Sequence, residues 1–211
     1  MSTPQQNMNA LLKHFEDRLA DHTKTLGPFH PDTILTWASI GEINRMSGNH
    51  TKAIEVLEQL SAGFPEITEE LKFPYSLAHN NLGMAYWSYR KYDKAAEILE
   101  KLLKWQLDTW GPEHEEVNGS RMNLGQVYKD RGDLEKALPL YETALQYELN
   151  NPNKKIDRTG DVYKHIGDIH KEKRNYKEAK ACYEKAYPYI VERFGKNDPE
   201  TISIKKDIDR Y

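Results

Sequence analysis

Four glycines, Gly41, Gly83, Gly125 and Gly167, recur every 42 residues, and four alanines, Ala53, Ala95, Ala137 and Ala179, each follow a glycine by 12. Self-similarity at a fixed period of this size marks a repeat array, in which no unit buries its apolar face alone and each stacks on its neighbours. With the glycine at place 8, the repeats open at Ile34, Ser76, Asn118 and Gly160. The residue before the glycine is always aliphatic: Ile40, Leu82, Leu124 or Ile166. Four places after the alanine stand Leu57, Leu99, Tyr141 and Tyr183, and three further on Leu60, Leu102, Ala144 and Ala186. Spacings of three and four share one helix face, so each repeat is expected to hold two amphipathic helices, A and B. The small Gly and Ala places are expected where A and B cross. Between the helices run Ser47-Gly48-Asn49, Arg90 through Asp93, Arg131-Gly132-Asp133 and Arg174-Asn175-Tyr176. Their Gly, Asn and Asp residues suit left-handed turns and the capping of the next helix.

This pattern resembles the tetratricopeptide repeat over residues 34–190. Trp37-x-x-Ile40-Gly41 reproduces that family's W-x-x-L-G opening, and Gly132-Asp133-Leu134-x-x-Ala137 its turn and second-helix start. His79, Arg121 and Tyr163 replace the tryptophan in the later repeats. A period of 42 exceeds the ordinary 34 by about two helical turns. HEAT and armadillo units share this length but lack the Gly-then-Ala spacing. The longer type is similar to the kinesin light chain group, whose repeats are joined by a Leu-Gly-x-x-His-Pro-x-Thr loop. Leu26 through Thr33 matches that loop closely, and Trp110 through His114 and Phe194 through Thr201 match it in part. These loops begin 84 residues apart, while the junctions at Pro65–Pro74 and Asn150–Asp157 are different in kind, so the chain is a doubled pair of repeats. The resemblance implies an all-α fold, a right-handed α-solenoid of stacked antiparallel helix pairs. The expected segments are a capping helix over 8–25, repeats over 34–75, 76–117, 118–159 and 160–201, and a second cap over 202–211. Ala10, Leu11, Leu12, Phe15 and Leu19 supply the first cap's apolar spacing, and Ile202, Ile204 and Ile208 the last's.

Composition narrows the function. Thirty Lys and Arg stand against 33 Asp and Glu, a net charge of −3, so no basic excess points to nucleic acid. The lone cysteine, Cys182, supports no internal disulfide framework and fits a reducing compartment. The polar opening from Met1 to Asn7 lacks the graded regions of a secretory signal, and no apolar run approaches the roughly 18 residues of a membrane span. A cytoplasmic location is expected, with no membrane partner. No phosphate loop, paired-cysteine motif or nucleophile elbow appears, so no enzyme and no cofactor are expected. Asp161, His165 and Asp168 share a helix face at spacings that could hold a divalent ion, but a polar wall is the expected role, and no metal is expected. His79 and His170 fall on core places as satisfied buried histidines, and Cys182, beside the inward Tyr183, as a structural or surface thiol.

In the family it resembles, A helices line a concave face with places 2, 5, 6, 9, 12 and 13. The resemblance therefore implies a peptide groove built from Glu42, Arg45 and Met46 in repeat 1, and Asn80, Asn81, Met84 and Trp87 in repeat 2. Repeat 3 adds Met122, Asn123, Gln126 and Lys129, and repeat 4 adds Lys164, His165, Asp168 and Lys171. Asn81 and Asn123, one period apart, form an amide ladder suited to an extended backbone, because an amide both donates and accepts. Trp87 is the candidate anchor. A basic clamp for acidic chaperone tails is disfavoured by Ala38 and Glu42 in repeat 1 and Gly119 and Asn123 in repeat 3. The mixed charges of the groove suit a peptide carrying both signs. The expected function is a non-enzymatic protein-binding adaptor. The alternatives are a scaffold that forms homo-oligomers and the peptide-sensing part of a larger regulator.

Overall fold

A computed structural model describes residues 4–151 and 157–211. Met1 to Thr3, and Pro152 to Ile156 within the last long junction, lie outside the described residues. The described chain consists of α1 (Pro4–Thr25), α2 (Pro31–Met46), α3 (His50–Ala62), a 3-10 turn (Glu69–Leu71), α4 (Lys72–Ser88), α5 (Tyr92–Trp110), α6 (Glu115–Arg131), α7 (Leu134–Asn150), α8 (Thr159–Glu172), α9 (Tyr176–Phe194) and α10 (Pro199–Arg210), with no strand. It divides into two compact units, Met1–Thr109 and Trp110–Tyr211. In the N-terminal unit α1 packs on α2, α2 on α3 and α4, and α3 on α4. In the C-terminal unit α6 packs on α7, α7 on α8, α8 on α9 and α9 on α10.

The periodic glycines sit where the two helices of a repeat touch. A Cβ built on Gly41 would stand 2.4 Å from Leu57 Cγ, and one on Gly83 2.6 Å from Leu99. On Gly125 it would lie 2.9 Å from the Tyr141 ring, and on Gly167 2.8 Å from the Tyr183 ring. The absent side chain is thus the room taken by the large residue four places after each alanine. Ala53, Ala95, Ala137 and Ala179 are themselves fully buried. A second contact links place 1 to place 31 in every repeat, and its chemistry changes from one repeat to the next. Ile34 lies in a buried apolar cluster lined by Phe64. Ser76 accepts a 2.7 Å hydrogen bond from the buried Gln106, and Asn118 donates at 2.8 Å to the buried carboxylate of Glu148. At Gly160 an added Cβ would meet Tyr189 Cβ at 2.6 Å first and the place-31 residue, Ile190, at 3.4 Å through Cδ1.

Both kinds of connection follow repeated backbone rules. Each A helix ends with a residue at positive φ at place 15: Gly48 (78°), Arg90 (60°), Gly132 (93°) and Arg174 (63°). The amide of that residue bonds to the carbonyl three back and the next amide to the carbonyl five back: Gly48 to Arg45 and Asn49 to Asn44, for example. This is a Schellman closure, which satisfies the last carbonyls of the helix. Two of the four left-handed residues are therefore arginines, where the composition of the turns points to Gly, Asn and Asp. The expected capping of the B helices is also absent: Asn49, Asp133 and Asn175 precede them without a side-chain cap bond. The loops spaced by 84 residues behave differently. Gly27, Gly111 and Gly195 take positive φ, and three residues on His30, His114 and Asp198 cap α2, α6 and α10. The two imidazoles accept the Asp32 and Glu116 amides through Nδ1 at 3.2 Å, and Asp198 accepts that of Glu200 at 2.8 Å.

The first helix spans Pro4–Thr25, longer than expected. Leu12, Phe15 and Leu19 are half-buried, whereas Ala10 and Leu11 are exposed, because a helical stripe takes Leu12 and its neighbours at three and four spacings and not their immediate neighbours. In α10 the same geometry buries Ile204 and packs Ile208 on the α9 cluster, while Ile202 is exposed.

Candidate binding faces of the A helices

In the N-terminal unit α2 and α4 lie side by side, one residue out of step. Asn81 Nδ2 donates to the Ala38 carbonyl at 3.3 Å near the middle, and Arg45 Nη1 donates to Ser88 Oγ at 3.2 Å near the end. Asn81 is only 9% exposed. The amide thereby braces the two neighbouring helices. Its counterpart Asn123, one period on, is half-buried. Glu42 and Arg45 close on each other through two hydrogen bonds of 2.7 and 2.6 Å. The Glu42 carboxylate, held back slightly by burial, raises the arginine's pKa above its ordinary value. On the same two helices Asn80, Met84 and Trp87 are half-buried, and Met46 is 65% exposed. The core place next to them is filled by Tyr86, whose hydroxyl donates to Glu58. Burial, with the Glu58 carboxylate assisting, pushes that phenol up to about 12.

In the C-terminal unit the expected residues fall into one polar patch. Met122, Asn123, Gln126 and Lys129 on α6 and Lys164, His165, Asp168 and Lys171 on α8 are all half-buried. The His165 ring stacks on Tyr141 at 4.9 Å between centroids, and its Nδ1 faces Lys129 Nζ at 3.4 Å. Burial above all, then Lys129 and Lys164, lowers the imidazole to about 3, so His165 is neutral and accepts from the lysine. Asp168 accepts from the Tyr183 hydroxyl at 2.9 Å and lies 3.5 Å from Lys129. Lys164 pairs with Glu200 at 3.2 Å and Lys171 with Asp207 at 2.8 Å, which raises the pKa of Lys171. The mixed charges are therefore engaged with each other. Each of these pairs joins one A helix to the next.

The triad considered for a metal does not converge. Asp161 accepts from Arg193 at 2.7 Å, while His165 and Asp168 turn to Tyr141 and Tyr183. Among the described residues no group of three or more His, Cys, Asp and Glu side chains is disposed to hold an ion. His79 is satisfied on both nitrogens, by the Tyr75 carbonyl at 2.9 Å and Ser61 Oγ at 2.8 Å, and burial lowers its pKa. His170 Nδ1, in contrast, is buried and has no partner. Arg121, at the tryptophan place, is buried and reaches Pro112 O at 2.9 Å. Cys182 is half-buried beside the Gly167 crossing, and burial raises its thiol pKa. No helix among the described residues is long and apolar enough to cross a membrane.

Comparison with known proteins agrees with this architecture. The tetratricopeptide repeat family profile matches residues 75–147 and 116–190. No curated protein matches the chain significantly. Among solved structures, BtubC (BKLC) from P. vanneervenii superposes with a TM-score of 0.79 at 17% identity, over 99% of this chain and 83% of that one. A Podosopora anserina putative kinesin light chain with nearly identical TPR-like repeats gives 0.70 at 17% identity, over 86% of each chain. Bacillus thuringiensis PlcR, solved in complex with the peptide PapR7 and DNA, gives 0.70 at 14% identity, over 97% of this chain and 70% of that one. Identities this low carry the fold alone.

Proposed function

We propose that this chain, which belongs to the tetratricopeptide repeat family and is an all-α solenoid with the longer, kinesin light chain-like repeat, is a non-enzymatic adaptor that holds a peptide or helical segment of a protein partner on the faces of its A helices. The carrying observation is the condition of those faces. In both units the inward places hold Asn80, Met84, Trp87, Met122, Asn123 and Gln126 half-buried, neither sealed in the core nor spread into solvent. Side chains so held lose little further freedom when a ligand covers them, which lowers the entropic cost of binding. Asn80 and Asn123 supply amides for a backbone, and Trp87 supplies a large apolar surface of the kind that concentrates binding energy. Asn81 supports this face from behind.

A photo-crosslinking amino acid placed at Asn123, and in a second protein at the exposed Glu142 of α7, tests the reading in native lysate. A discrete partner polypeptide should crosslink from Asn123 and not from Glu142. Equal crosslinking from both sites, or from neither, refutes it.

A second reading has its own support. The match to PlcR, a protein solved with a bound peptide and DNA, extends over 97% of this chain. The chain could thus serve as the peptide-sensing part of a larger regulator through the same faces. A short free peptide that competes with the crosslinked partner would favour this role over docking of a folded protein.

A further inference from the structure

We infer that the segment held by the N-terminal unit is uncharged and seats a bulky apolar side chain on Met46, Met84 and Trp87, so that its binding is nearly independent of salt. This rests on the adaptor reading and adds the chemistry of the partner. The bonds from Asn81 to Ala38 and from Arg45 to Ser88 set α2 beside α4 one residue out of step. Place 13 of α2 and places 9 and 12 of α4 therefore lie on the same side of the pair, which brings Met46, Met84 and Trp87 to one face. Met46 is the most exposed large apolar residue of the described chain, at 65%. A flexible thioether and an indole make an adaptable apolar seat.

The electrostatics of the same face decide what the seat can take. Glu42 spends both carboxylate oxygens on Arg45, and Arg45 spends its remaining described contact on Ser88. A partner carboxylate would have to displace a bidentate pair already at 2.6 and 2.7 Å, and a partner ammonium would have to compete with the guanidinium for Glu42. Neither exchange gains an ion pair. The charges on the A helices of the C-terminal unit are closed in the same way, Lys129 on Asp168, Lys164 on Glu200 and Lys171 on Asp207. Charge complementarity thus selects a neutral segment, and apolar burial with amide hydrogen bonds carries the affinity.

Random 12-residue peptides displayed on phage and selected on the whole chain, in parallel at 50 and 500 mM NaCl, provide the probe. The expected winners are the same at both salts, lack net charge and share one bulky apolar position. As synthetic peptides their Kd should change less than about twofold between the two salts, since no screened ion pairs form. Met46→Ser, at a residue too exposed to support the fold, and Trp87→Ala should each weaken them roughly tenfold. Thermal melting checks that both variants remain folded. Winners that are charged, salt-sensitive and weakened by Asn123→Ala or Gln126→Ala overturn this inference and leave the adaptor reading standing. Winners indifferent to every A-helix substitution, or no enrichment at either salt, overturn both.

Discussion

Replacing Arg90 and Arg174 by glycine should stabilise the protein, and the size of the gain can be worked out from the turns alone. Both arginines are exposed and hold positive φ, 60° and 63°, at the place where repeats 1 and 3 have Gly48 and Gly132. A left-handed conformation costs a residue with a Cβ roughly 1–2 kcal/mol. Glycine avoids that cost but loses about 0.5–1 kcal/mol more conformational entropy on folding. The net expectation is a gain of about 0.5–1 kcal/mol for each substitution, and about twice that for the pair, since additive behaviour is expected of sites without shared partners. The reverse changes, Gly48→Ala and Gly132→Ala, should cost a similar amount. They are clean tests, because a Cβ at either position meets no atom within 4 Å and the effect is purely one of backbone. Urea unfolding followed by circular dichroism at 222 nm would read all five proteins on one scale. Should Arg90→Gly and Arg174→Gly both lower the midpoint while Gly48→Ala leaves it unchanged, the conformational argument is wrong, and the guanidinium groups, not the backbone, hold these turns.

The N-cap histidines are expected to behave as caps: His114→Ala should cost about 1 kcal/mol, whereas His114→Asp should be neutral or stabilising, as Asp198 already serves in the equivalent loop. Differential scanning calorimetry at neutral pH distinguishes these outcomes, and an equal loss in both variants would argue for the stacking of His114 on Trp110 at 4.6 Å instead. A pH effect follows from His165, whose folded pKa is about 3 because burial, then Lys129 and Lys164, disfavour its cation. The unfolded imidazole titrates near 6.5, so between about 6.5 and 3 the unfolded state binds the extra proton. The stability is complete above pH 6.5 and falls as the solution is acidified, by about 3 kcal/mol at pH 4.5. His165→Gln should flatten that part of the stability profile in urea titrations at pH 7.5, 5.5 and 4.5, and an unchanged slope would show that other groups govern it.

What could be read in the sequence was whatever the period repeats. Gly41 against Leu57 and Gly125 against Tyr141 are the same contact four times over, and a spacing argument finds them because all four repeats share one geometry. Where the structure departs from expectation, two residues at one place behave differently. Asn81 is buried against Ala38 while Asn123 is half-buried, since how deeply an amide sits depends on the neighbouring helix and not on the period. The pairings of Lys129 with Asp168 and Lys171 with Asp207 span 39 and 36 residues, neither a multiple of the repeat, so no register reveals them. The left-handed arginines escaped because turn composition favours Gly and Asn, yet the Schellman closure forms with a Cβ present. The capping histidines, however, had a legible signal: His30 precedes a proline in the first helical position, and Asp198 occupies the same place before Pro199.

The contacts that vary explain how a chain of near-identical hairpins avoids pairing its helices wrongly. Any A helix with its glycine could accept any B helix with its large residue four places after the alanine, because that crossing is common to all repeats. The pair at places 1 and 31 breaks the degeneracy. Joining the B helix of repeat 3 to the A helix of repeat 1 would set the buried Glu148 against Ile34, stripping the carboxylate of its Asn118 donor in an apolar cluster. Joining the B helix of repeat 1 to the A helix of repeat 3 would leave Asn118 facing Phe64. A buried carboxylate without its donors costs several kcal/mol, far more than the correct pair contributes as a net gain. The Arg158 amide, which bonds the second Glu148 oxygen at 3.1 Å, extends the same requirement to the start of α8. Specificity in this array is thus carried by the penalty for mispairing, placed at a crossing where the repeats differ in polarity, while the shared Gly and Ala places supply the close packing that every hairpin needs.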